Sequence, residues 1–333
     1  MNTNQTTEAI QIHEYGGVEK MQYTSIEVPP PSAGEVQIRQ HAIGINFLDT
    51  YHRKGVFALP QLPGAPGVEG AGEVIAVGAG VTRFQPGQRV AYPRSPIGAY
   101  VGLRNMAERH LVHLPDGISY EVAAAAILQG ATAHMLINRV APLKAGQTVL
   151  VHAAAGGLGS FICQWASSLG VRVIGSVGSR EKAERAYSLG CESVILYKEE
   201  SFVDGVSRLT DGQGVDVVYE GLGGKVFHQS LECLKPFGHL INLGQVAESL
   251  PSVNISDLGP MRSLTVSVPG LTPYLNAHPN IQDITDELFE RVLSGQLKVH
   301  IGGRYALRDA AQAHQALESG TTQGSLILLP EGV

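Results

Sequence analysis

The sequence predicts an α/β protein in which a doubly wound parallel sheet is joined to a smaller, mostly β region. From Thr148 onward, short apolar strands alternate with helices, which is the pattern of a parallel sheet covered on both faces. Before Ser119 the chain instead has short strands separated by Gly- and Pro-rich turns. Glycine accounts for 40 of 333 residues, about 12% against about 7% on average, which predicts many tight turns and close backbone approaches.

The N-terminal region contains segments typical of half-buried strands. Residues 35–39 alternate polar and apolar side chains, which is the period of a strand with one buried face. Breakers such as 29–31 and 64–67 separate these segments. The predicted strands are 9–13, 35–41, 72–77, 89–92 and 109–114.

The β-α series begins after Ser119, which we expect to cap an alanine-rich helix at 122–127. The predicted strands are 148–152, 171–176, 193–196, 216–220 and 240–243, with helices at 159–169, 181–189, 201–209 and 225–234 between them. Beyond Pro273 the strict alternation ends, although helices at 284–293 and 310–320 and strands at 299–301 and 325–329 are still predicted. We therefore expect this last segment to return to the first domain.

Composition argues against several classes of protein. With 44% hydrophobic and 16% charged residues, the chain is predicted to be globular and soluble rather than disordered. A net charge of −6 gives no electrostatic reason to expect nucleic acid as a partner, and no apolar run reaches the ~18 residues of a membrane span. The first residues lack the basic and apolar regions of a secretory signal. The cysteines, Cys163, Cys191 and Cys233, fit no disulfide framework and no metal spacing, so we expect a reducing cytoplasm.

The sharpest motif is the glycine-rich turn in VLVHAAAGGLG, residues 149–159, which follows a predicted strand and opens a predicted helix. Small residues let backbone N–H groups approach a pyrophosphate, and the helix N-terminus presents unpaired donors to it. Ala154 replaces the first glycine of the usual GxGxxG, so the motif is imperfect. A tight turn without a ligand is the alternative. We expect a dinucleotide contact at Ala155, Gly156, Gly157, Leu158 and Gly159.

The end of the second strand favours NADPH over NADH. An NAD site would place an acidic residue there to bind the ribose hydroxyls, whereas GSVGSREK at 175–182 ends in Arg180 and Lys182. Cationic donors suit a 2′-phosphate. The alternative is that both are solvated residues of a helix's first turn, with Glu181 between them.

The stretch 146–159, continued by Gln164 and Ser167, resembles the quinone oxidoreductase/ζ-crystallin group of the medium-chain dehydrogenase/reductase superfamily. The segments GINFLDTY at 44–51, GVEGAG at 67–72 and TQGS at 322–325 resemble the same group in the same order, so the resemblance spans nearly the whole chain. It implies a GroES-like, mostly β catalytic domain at 1–126 with its return at 273–333, and a Rossmann domain at 127–272. It also implies a site in the cleft between these domains, and a homodimer.

The resemblance also implies roles for single residues. Asn46 and Tyr51 are expected at the nicotinamide end, where they would hydrogen-bond the acceptor oxygen. Asn46 as a turn cap and Tyr51 as a half-buried aromatic are the alternatives, while Asp49, Arg53 and Glu69 are expected to be structural. The remaining expected cofactor residues are Gln129, Thr132, Gly178, Ser179, Lys182, Tyr197, Gly221, Leu243 and Gly244. Several relatives have Lys at the position of Gln129, and relatives tend to have Arg at the position of Gly320 and near Val268, which predicts weaker NADPH binding here.

Zinc alcohol dehydrogenases have a cysteine in the segment that matches 44–49 and Gly-His-Glu where this chain has Gly67-Val68-Glu69. Both metal ligands are therefore missing, as is the cysteine-rich zinc lobe, and a catalytic zinc needs about three protein ligands. We expect no metal.

These features together predict a cytoplasmic NADPH-dependent enzyme that transfers hydride to a small quinone without zinc. The first alternative is a reductase of enones, 2-alkenals or enoyl thioesters on the same fold. The second, of another class, is an NADPH-binding structural or RNA-binding protein, which the net charge of −6 disfavours.

Overall fold

The structure, a computed structural model, describes residues 4–94, 96–278 and 280–331. Its strands are β1 (Gln5–Ile12), β2 (Met21–Val28), β3 (Glu35–Ile45), β4 (Glu69–Val77), β5 (Arg89–Pro93), β6 (Leu103–Ala107), β7 (Val112–His113), β8 (Thr148–His152), β9 (Arg172–Val177), β10 (Ser193–Leu196), β11 (Val215–Glu220), β12 (Leu234–Asn242), β13 (Thr265–Ser267), β14 (Ile301–Ala306) and β15 (Ser325–Leu329).

The helices alternate with the strands mainly in the middle of the chain. They are α1 (Phe47–Lys54), α2 (Tyr120–Met135), α3 (Gly157–Ser168), α4 (Arg180–Ser188), α5 (Phe202–Leu209), α6 (Gly224–Glu232), α7 (Leu271–Ala277), α8 (Ile281–Leu293) and α9 (Ala310–Glu318). In the part of the chain that the structure describes, no helix combines the length and the apolar character that crossing a membrane requires.

The chain divides into two compact units. One comprises the chain up to Ala131 and again from Leu275, and the other is Thr132–Tyr274. The predicted domain limits stay predictions, because the compactness of the backbone does not say where a functional domain ends.

The second unit contains a six-stranded sheet in the order β10-β9-β8-β11-β12-β13, in which the neighbouring strands are parallel. Its core includes Leu150, Ile174, Val218 and Leu240, each of which lies on a different strand of that sheet. Because each strand is apolar on both faces, helices must cover both. The predicted doubly wound parallel sheet is confirmed.

The first unit is mostly β, as predicted. Its sheet has the order β14-β15-β3-β4-β5-β7, with β6 also paired to β3, and β1 and β2 form a separate antiparallel pair. Most pairs in it are antiparallel, but β14 and β15 run parallel. Strand β15, from the last segment of the chain, pairs antiparallel with β3 in this sheet.

Several predicted elements agree with the structure and others do not. Strands β8, β10 and β15 have the predicted bounds, and the Ser119 hydroxyl accepts a hydrogen bond from the Val122 N–H as a helix cap should. The strand predicted at 109–114 is wrong in its first part, because a 3₁₀ turn, Glu108–His110, occupies it. The helix predicted at 122–127 is more than twice as long. Elements β2, β6, β13, α1 and α7 were not predicted.

Candidate functional site

The glycine-rich turn lies where the strand order of the parallel sheet reverses. From β8 the chain adds β9 and β10 on one side, whereas β11, β12 and β13 extend the sheet on the other. The carboxyl ends of β8 and β11 therefore border the switch point, where open α/β sheets bind their ligands. The turn from Ala153 to Gly157 follows β8 directly, so the structure places the predicted pyrophosphate residues at this edge.

The backbone of this turn explains its small residues. Gly156 is the N-cap of α3, and a Cβ atom on Gly159 would clash with the carbonyl oxygen of Ala153, so only glycine allows this approach. Ala153 itself adopts a left-handed φ of 50°, which is strained for a residue with a side chain. The departure at Ala154 is accommodated by Gly175 on β9, because a Cβ there would lie 2.9 Å from the Ala154 Cβ.

The neighbouring strand ends are held by two polar residues that were not predicted from the sequence. The buried Glu220 carboxylate accepts hydrogen bonds from the Gly223 N–H at 2.8 Å and from the Asn242 side-chain amide at 2.6 Å. The Asn242 amide group also exchanges hydrogen bonds with the backbone of Gly244. These contacts fix the turns that carry the predicted residues Gly221, Leu243 and Gly244. The sequence signal that could have identified these two residues is a polar residue at the end of an otherwise apolar strand.

Behind the end of β9 lies a cationic cluster, here called the lysine end: Gly178, Ser179, Lys182, Tyr197 and Lys198. A Cβ atom on Gly178 would lie 2.6 Å from the Tyr197 hydroxyl and 3.4 Å from Lys198 Cε. Ser179 caps α4 by accepting the Lys182 N–H. Partial burial lowers the pKa of Lys182, and the charge of Lys198 lowers it further, so the two ammonium groups lie within electrostatic reach of each other.

The structure adds a second lysine to this cluster and gives Arg180 an acidic partner. Lys198, which was not predicted, joins Lys182, although it directly follows the predicted Tyr197 in the chain. Arg180 is instead engaged in an exposed ion pair, with Nη2 3.0 Å from Glu199 Oε2. The charge of Lys198 therefore acts on Lys182, although the two residues are not adjacent along the chain.

In the first unit, a second polar cluster surrounds the start of α1; we call it the Asn46 pocket, formed by Asn46, Asp49, Glu69, Gln129 and Ser325. The Asn46 side-chain amide donates to Glu69 Oε1 at 2.6 Å, and the Leu128 N–H donates to the other carboxylate oxygen at 2.8 Å. Gln129 Nε2 lies 3.5 Å from Asn46 Oδ1, while the Ser325 hydroxyl donates to Gln129 Oε1 at 2.9 Å. The predicted residues Asn46 and Gln129 are thus brought together.

Asn46 also begins helix α1. It is the N-cap residue, and its backbone N–H donates to Asp49 Oδ2 at 2.9 Å. Gly44, two residues earlier, leaves room for the pocket, because a Cβ there would clash with Glu69 Oε1. The local motif GINFLDT therefore folds so that one asparagine bridges two buried carboxyl groups.

Burial controls the ionisation of these carboxyl groups. It raises the pKa of Glu69 to about 8, even though hydrogen bonds from Asn46 and Leu128 act in the opposite direction. It raises the pKa of Asp49 to about 7, opposed by hydrogen bonds from the Asn46 backbone and from Tyr100. The Asn46 pocket is accordingly a low-dielectric site in which negative charge is disfavoured.

A buried hydrogen-bonded chain ties α1 to α9. Arg53 Nη2 contacts both oxygens of Glu318, and Nη1 donates to His314 Nδ1 at 3.0 Å. Because arginine only donates, His314 Nδ1 accepts, and Nε2 carries the proton that it gives to the Tyr100 hydroxyl at 2.8 Å. Tyr100 then donates to Asp49. Burial, together with the Arg53 charge, lowers the pKa of His314 to about 3, so the imidazole is neutral at physiological pH.

Two further predicted residues, Tyr51 and Thr132, are half-buried. Tyr51 is half-buried on α1, and its ring packs edge-on against Phe57 with 5.7 Å between ring centroids. Thr132 is half-buried on α2.

The residues present do not fit a zinc site. Among the described residues, no three His, Cys, Asp or Glu side chains come together as a metal-binding group. Segment 44–49 contains no cysteine, Val68 stands where zinc relatives have histidine, and Glu69 is hydrogen-bonded to Asn46. No step of the reaction described below involves a metal ion.

Comparison with known proteins identifies the family to which the chain belongs. Residues 32–135 match the model of the alcohol dehydrogenase GroES-like domain, and residues 189–328 match that of the zinc-binding dehydrogenase. A quinone oxidoreductase of Pseudomonas aeruginosa is 44% identical, covering 96% of this chain and 99% of the relative. A 2-haloacrylate reductase of a Burkholderia species is 38% identical, covering 97% and 99%.

A solved structure gives the same result. The crystal structure of Escherichia coli quinone oxidoreductase complexed with NADPH superimposes with a TM-score of 0.94 at 39% identity, covering 98% of this chain and all of that one. The two polar clusters, the matched domains and these full-length similarities lead to one conclusion: this chain belongs to the quinone oxidoreductase family of the medium-chain dehydrogenase/reductase superfamily.

Proposed function

We propose that this protein is an NADPH-dependent quinone reductase. The observation that carries the proposal is the glycine-rich turn at the switch point of the parallel sheet, with the lysine end at the end of the neighbouring strand β9. The first feature suits a pyrophosphate and the second suits a 2′-phosphate. A relative of 39% identity whose structure contains NADPH supports the same cofactor.

The residues that would hold NADPH are the sequence-predicted ones, with one addition. Backbone N–H groups of Ala155, Gly156, Gly157, Leu158 and Gly159 would bind the pyrophosphate, and Gly178, Ser179, Lys182 and Tyr197 would bind the adenosine ribose phosphate together with Lys198. Gly221, Leu243 and Gly244 would contact the nicotinamide half of the cofactor, and Asn46, Gln129 and Thr132 would complete the set.

Bound NADPH supplies the hydride, and the protein supplies orientation, dryness and hydrogen bonds. Quinone reduction needs one hydride and one proton, and charge develops on the acceptor oxygen as the hydride arrives. Tyr51 and Asn46 hydrogen-bond that oxygen. Tyr51 gives its hydroxyl proton to the oxygen, or holds a water molecule that does so. Glu69 orients the Asn46 amide for this contact through its 2.6 Å hydrogen bond.

Reduction of a carbon–carbon double bond conjugated to a carbonyl is the second candidate. The observation that favours it is the full-length similarity to a 2-haloacrylate reductase. The same hydride and the same stabilised oxygen serve a quinone, an enone or an enoyl thioester, so the fold alone does not select among them.

The deciding experiment is a panel of quinones, enones, a 2-haloacrylate and enoyl thioesters, each followed by the loss of NADPH absorbance. We expect the highest kcat/KM for a small quinone. A kcat/KM for an alkene acceptor above that of every quinone would replace the proposal with its second candidate. No NADPH-dependent turnover of any acceptor would refute both.

We further propose that the enzyme acts in the cytoplasm as a homodimer. Phe237 and Met261 support the dimer: the two residues are 81% and 89% exposed, and the Phe237 N–H donates a hydrogen bond to the carbonyl of Arg262, next to Met261. Phe237 also has a strained φ of 65°. A strained backbone that exposes an aromatic ring to water is unfavourable unless the ring is covered by a partner. Light scattering should give twice the monomer mass, and a monomer at micromolar concentration would contradict this.

A further inference from the structure

The second unit contains a buried pair of thiols to which the reaction above assigns nothing. Cys163 lies on α3, and Cys191 lies between α4 and β10, yet their sulfur atoms are 3.5 Å apart. Both residues are buried and reduced. Because the two cysteines are 28 residues apart along the chain, the sequence alone did not predict this contact. The third cysteine, Cys233, makes a separate contact with the carbonyl of Gln229.

The thiol pair packs against the turn that we assign to the cofactor. Cys163 Sγ lies 3.9 Å from the carbonyl oxygen of Ala154. A Cβ atom on Gly175 would lie 2.9 Å both from Cys191 Sγ and from the Ala154 Cβ, so these three residues meet at one point. Strand β9, which carries Gly175, leads directly to Gly178 and Ser179. Movement of either sulfur would therefore displace the glycine-rich turn and strand β9, which leads to the lysine end.

We propose that Cys163 and Cys191 form a reversible disulfide that lowers the affinity for NADPH. The oxidant is hydrogen peroxide. One thiol reacts with it to give a sulfenic acid and water, and the second thiol then attacks that sulfur, forming the S–S bond and releasing a second water. Two thiols and one peroxide thus give one disulfide and two waters, and a dithiol reductant reverses the step by exchange.

The geometry explains why this bond affects binding. A disulfide holds its sulfur atoms about 2.0 Å apart, so the pair must approach by about 1.5 Å from the present 3.5 Å. A close-packed interior does not absorb such a shift without moving its neighbours. The neighbours here are Ala154 and Gly175, which shape the turn that binds the pyrophosphate.

The pair should respond to sustained rather than brief oxidation. The hydrogen bond shared with Cys191, and then burial, raise the pKa of Cys163 well above its usual range. The reactive thiolate is therefore scarce at neutral pH, and peroxide reaches the sulfurs when the surrounding structure opens locally. We expect bound NADPH to slow the reaction, because it stabilises the closed turn.

The chain provides its own reporter for the test. Its single tryptophan, Trp165, lies on α3 two residues after Cys163 and is buried. The cofactor-free protein is incubated with millimolar peroxide and digested without reduction, and the peptides are weighed. We expect a linked Cys163–Cys191 peptide two hydrogens lighter than its parts, a change in Trp165 emission, and an NADPH dissociation constant raised about 5-fold or more by calorimetry. Dithiothreitol should reverse all three.

Matched variants separate this pair from general oxidation. Cys191→Ala, and independently Cys163→Ala, should abolish the linked peptide and the loss of affinity, whereas Cys233→Ala should retain both. Absence of the linked peptide from oxidised wild-type protein would overturn the proposal, as would a linked peptide with unchanged NADPH affinity. The effect on affinity rests on the proposed cofactor. Disulfide formation and Trp165 emission are measured without NADPH, so a failure of the reduced protein to bind NADPH would refute the proposed function separately.

Discussion

The Asn46 pocket and the lysine end are two polar clusters that differ in their exposure to water. In the Asn46 pocket, Asp49 and Glu69 are almost wholly buried and are held by hydrogen bonds of 2.6 to 3.0 Å. At the lysine end, Ser179 and Lys198 are exposed, as is the neighbouring Arg180–Glu199 pair. Burial strengthens electrostatic interactions and penalises unpaired groups, whereas water and salt weaken them. Substitutions in the pocket should therefore affect folding and chemistry together, and those at the lysine end should affect affinity alone.

The largest expected effect is that of Glu69→Gln, which should change how the free energy of unfolding depends on pH. Burial raises the folded pKa of Glu69 from 4.5 to about 8, so its contribution to stability is present below pH 4.5 and is lost as the pH rises through about 8. The contribution changes by up to about 1.4 kcal/mol per pH unit. The variant cannot ionise, so its stability relative to wild type should rise with pH across this interval. Urea unfolding at several pH values measures this, with Glu73→Gln on the same strand as control; parallel curves would contradict a buried titrating Glu69.

The next effect should come from Asn46→Ala. The variant removes the amide that donates to Glu69 Oε1 and leaves a buried carboxyl oxygen without its donor. We expect the free energy of unfolding to fall by about 3 kcal/mol, together with quinone kcat/KM. Urea unfolding of Lys182→Ala provides the control, since that residue lies at the other cluster. If both variants unfold at the same urea concentration as wild type, the contrast between the two clusters is wrong.

Tyr51→Phe should change catalysis without changing the fold. Loss of one hydrogen bond to the acceptor oxygen should lower kcat/KM for quinone by roughly 30-fold, or about 2 kcal/mol, and less for the most activated quinones. The affinity for NADPH should remain near the wild-type value, because Tyr51 acts on the acceptor. A wild-type kcat/KM for several acceptors would reduce Tyr51 to a packing role beside Phe57.

At the lysine end, Lys182→Ala and Lys198→Ala should each weaken NADPH binding about 10-fold and leave NADH binding unchanged. The 2′-phosphate is the group that both ammonium ions would bind, and salt screens the contact, so the loss corresponds to about 1.4 kcal/mol. Arg180→Ala is the matched control, because Arg180 pairs with Glu199; Tyr197→Phe should also matter less. Equal losses for NADH and NADPH, or an Arg180→Ala effect as large as that of the lysines, would disprove this assignment.

Chelation should have the smallest effect. Exhaustive removal of metal ions should leave the quinone reductase activity unchanged, because segment 44–49 contains no cysteine and Val68 stands where zinc relatives have histidine. Metal analysis of the purified protein accompanies the assay. Stoichiometric zinc whose removal abolishes activity would end the zinc-independent prediction.

The sequence-based predictions were accurate where the apolar residues showed a clear pattern and failed where they did not. Strands β8 and β10 were predicted to the residue, because the strands of a parallel sheet are short continuous apolar runs between helices. Helix α1 was missed because its buried positions are Asp49, Thr50, His52 and Arg53, so no apolar stripe marks it. Its polar face is buried against partners such as Tyr100 and Glu318, which are distant in the chain.

The sequence by itself determined the fold class, the glycine-rich turn and the absence of zinc ligands at the expected positions, because these depend on local periodicity, backbone sterics and residue identity. The tertiary structure alone decided that the charge of Lys198 acts on Lys182 while Arg180 pairs with Glu199, that Asn46 bridges two buried carboxyl groups, and that Cys163 contacts Cys191. Each of these depends on which distant segments become neighbours and how much water is excluded between them. Neither quantity is encoded in the spacing of residues along the chain.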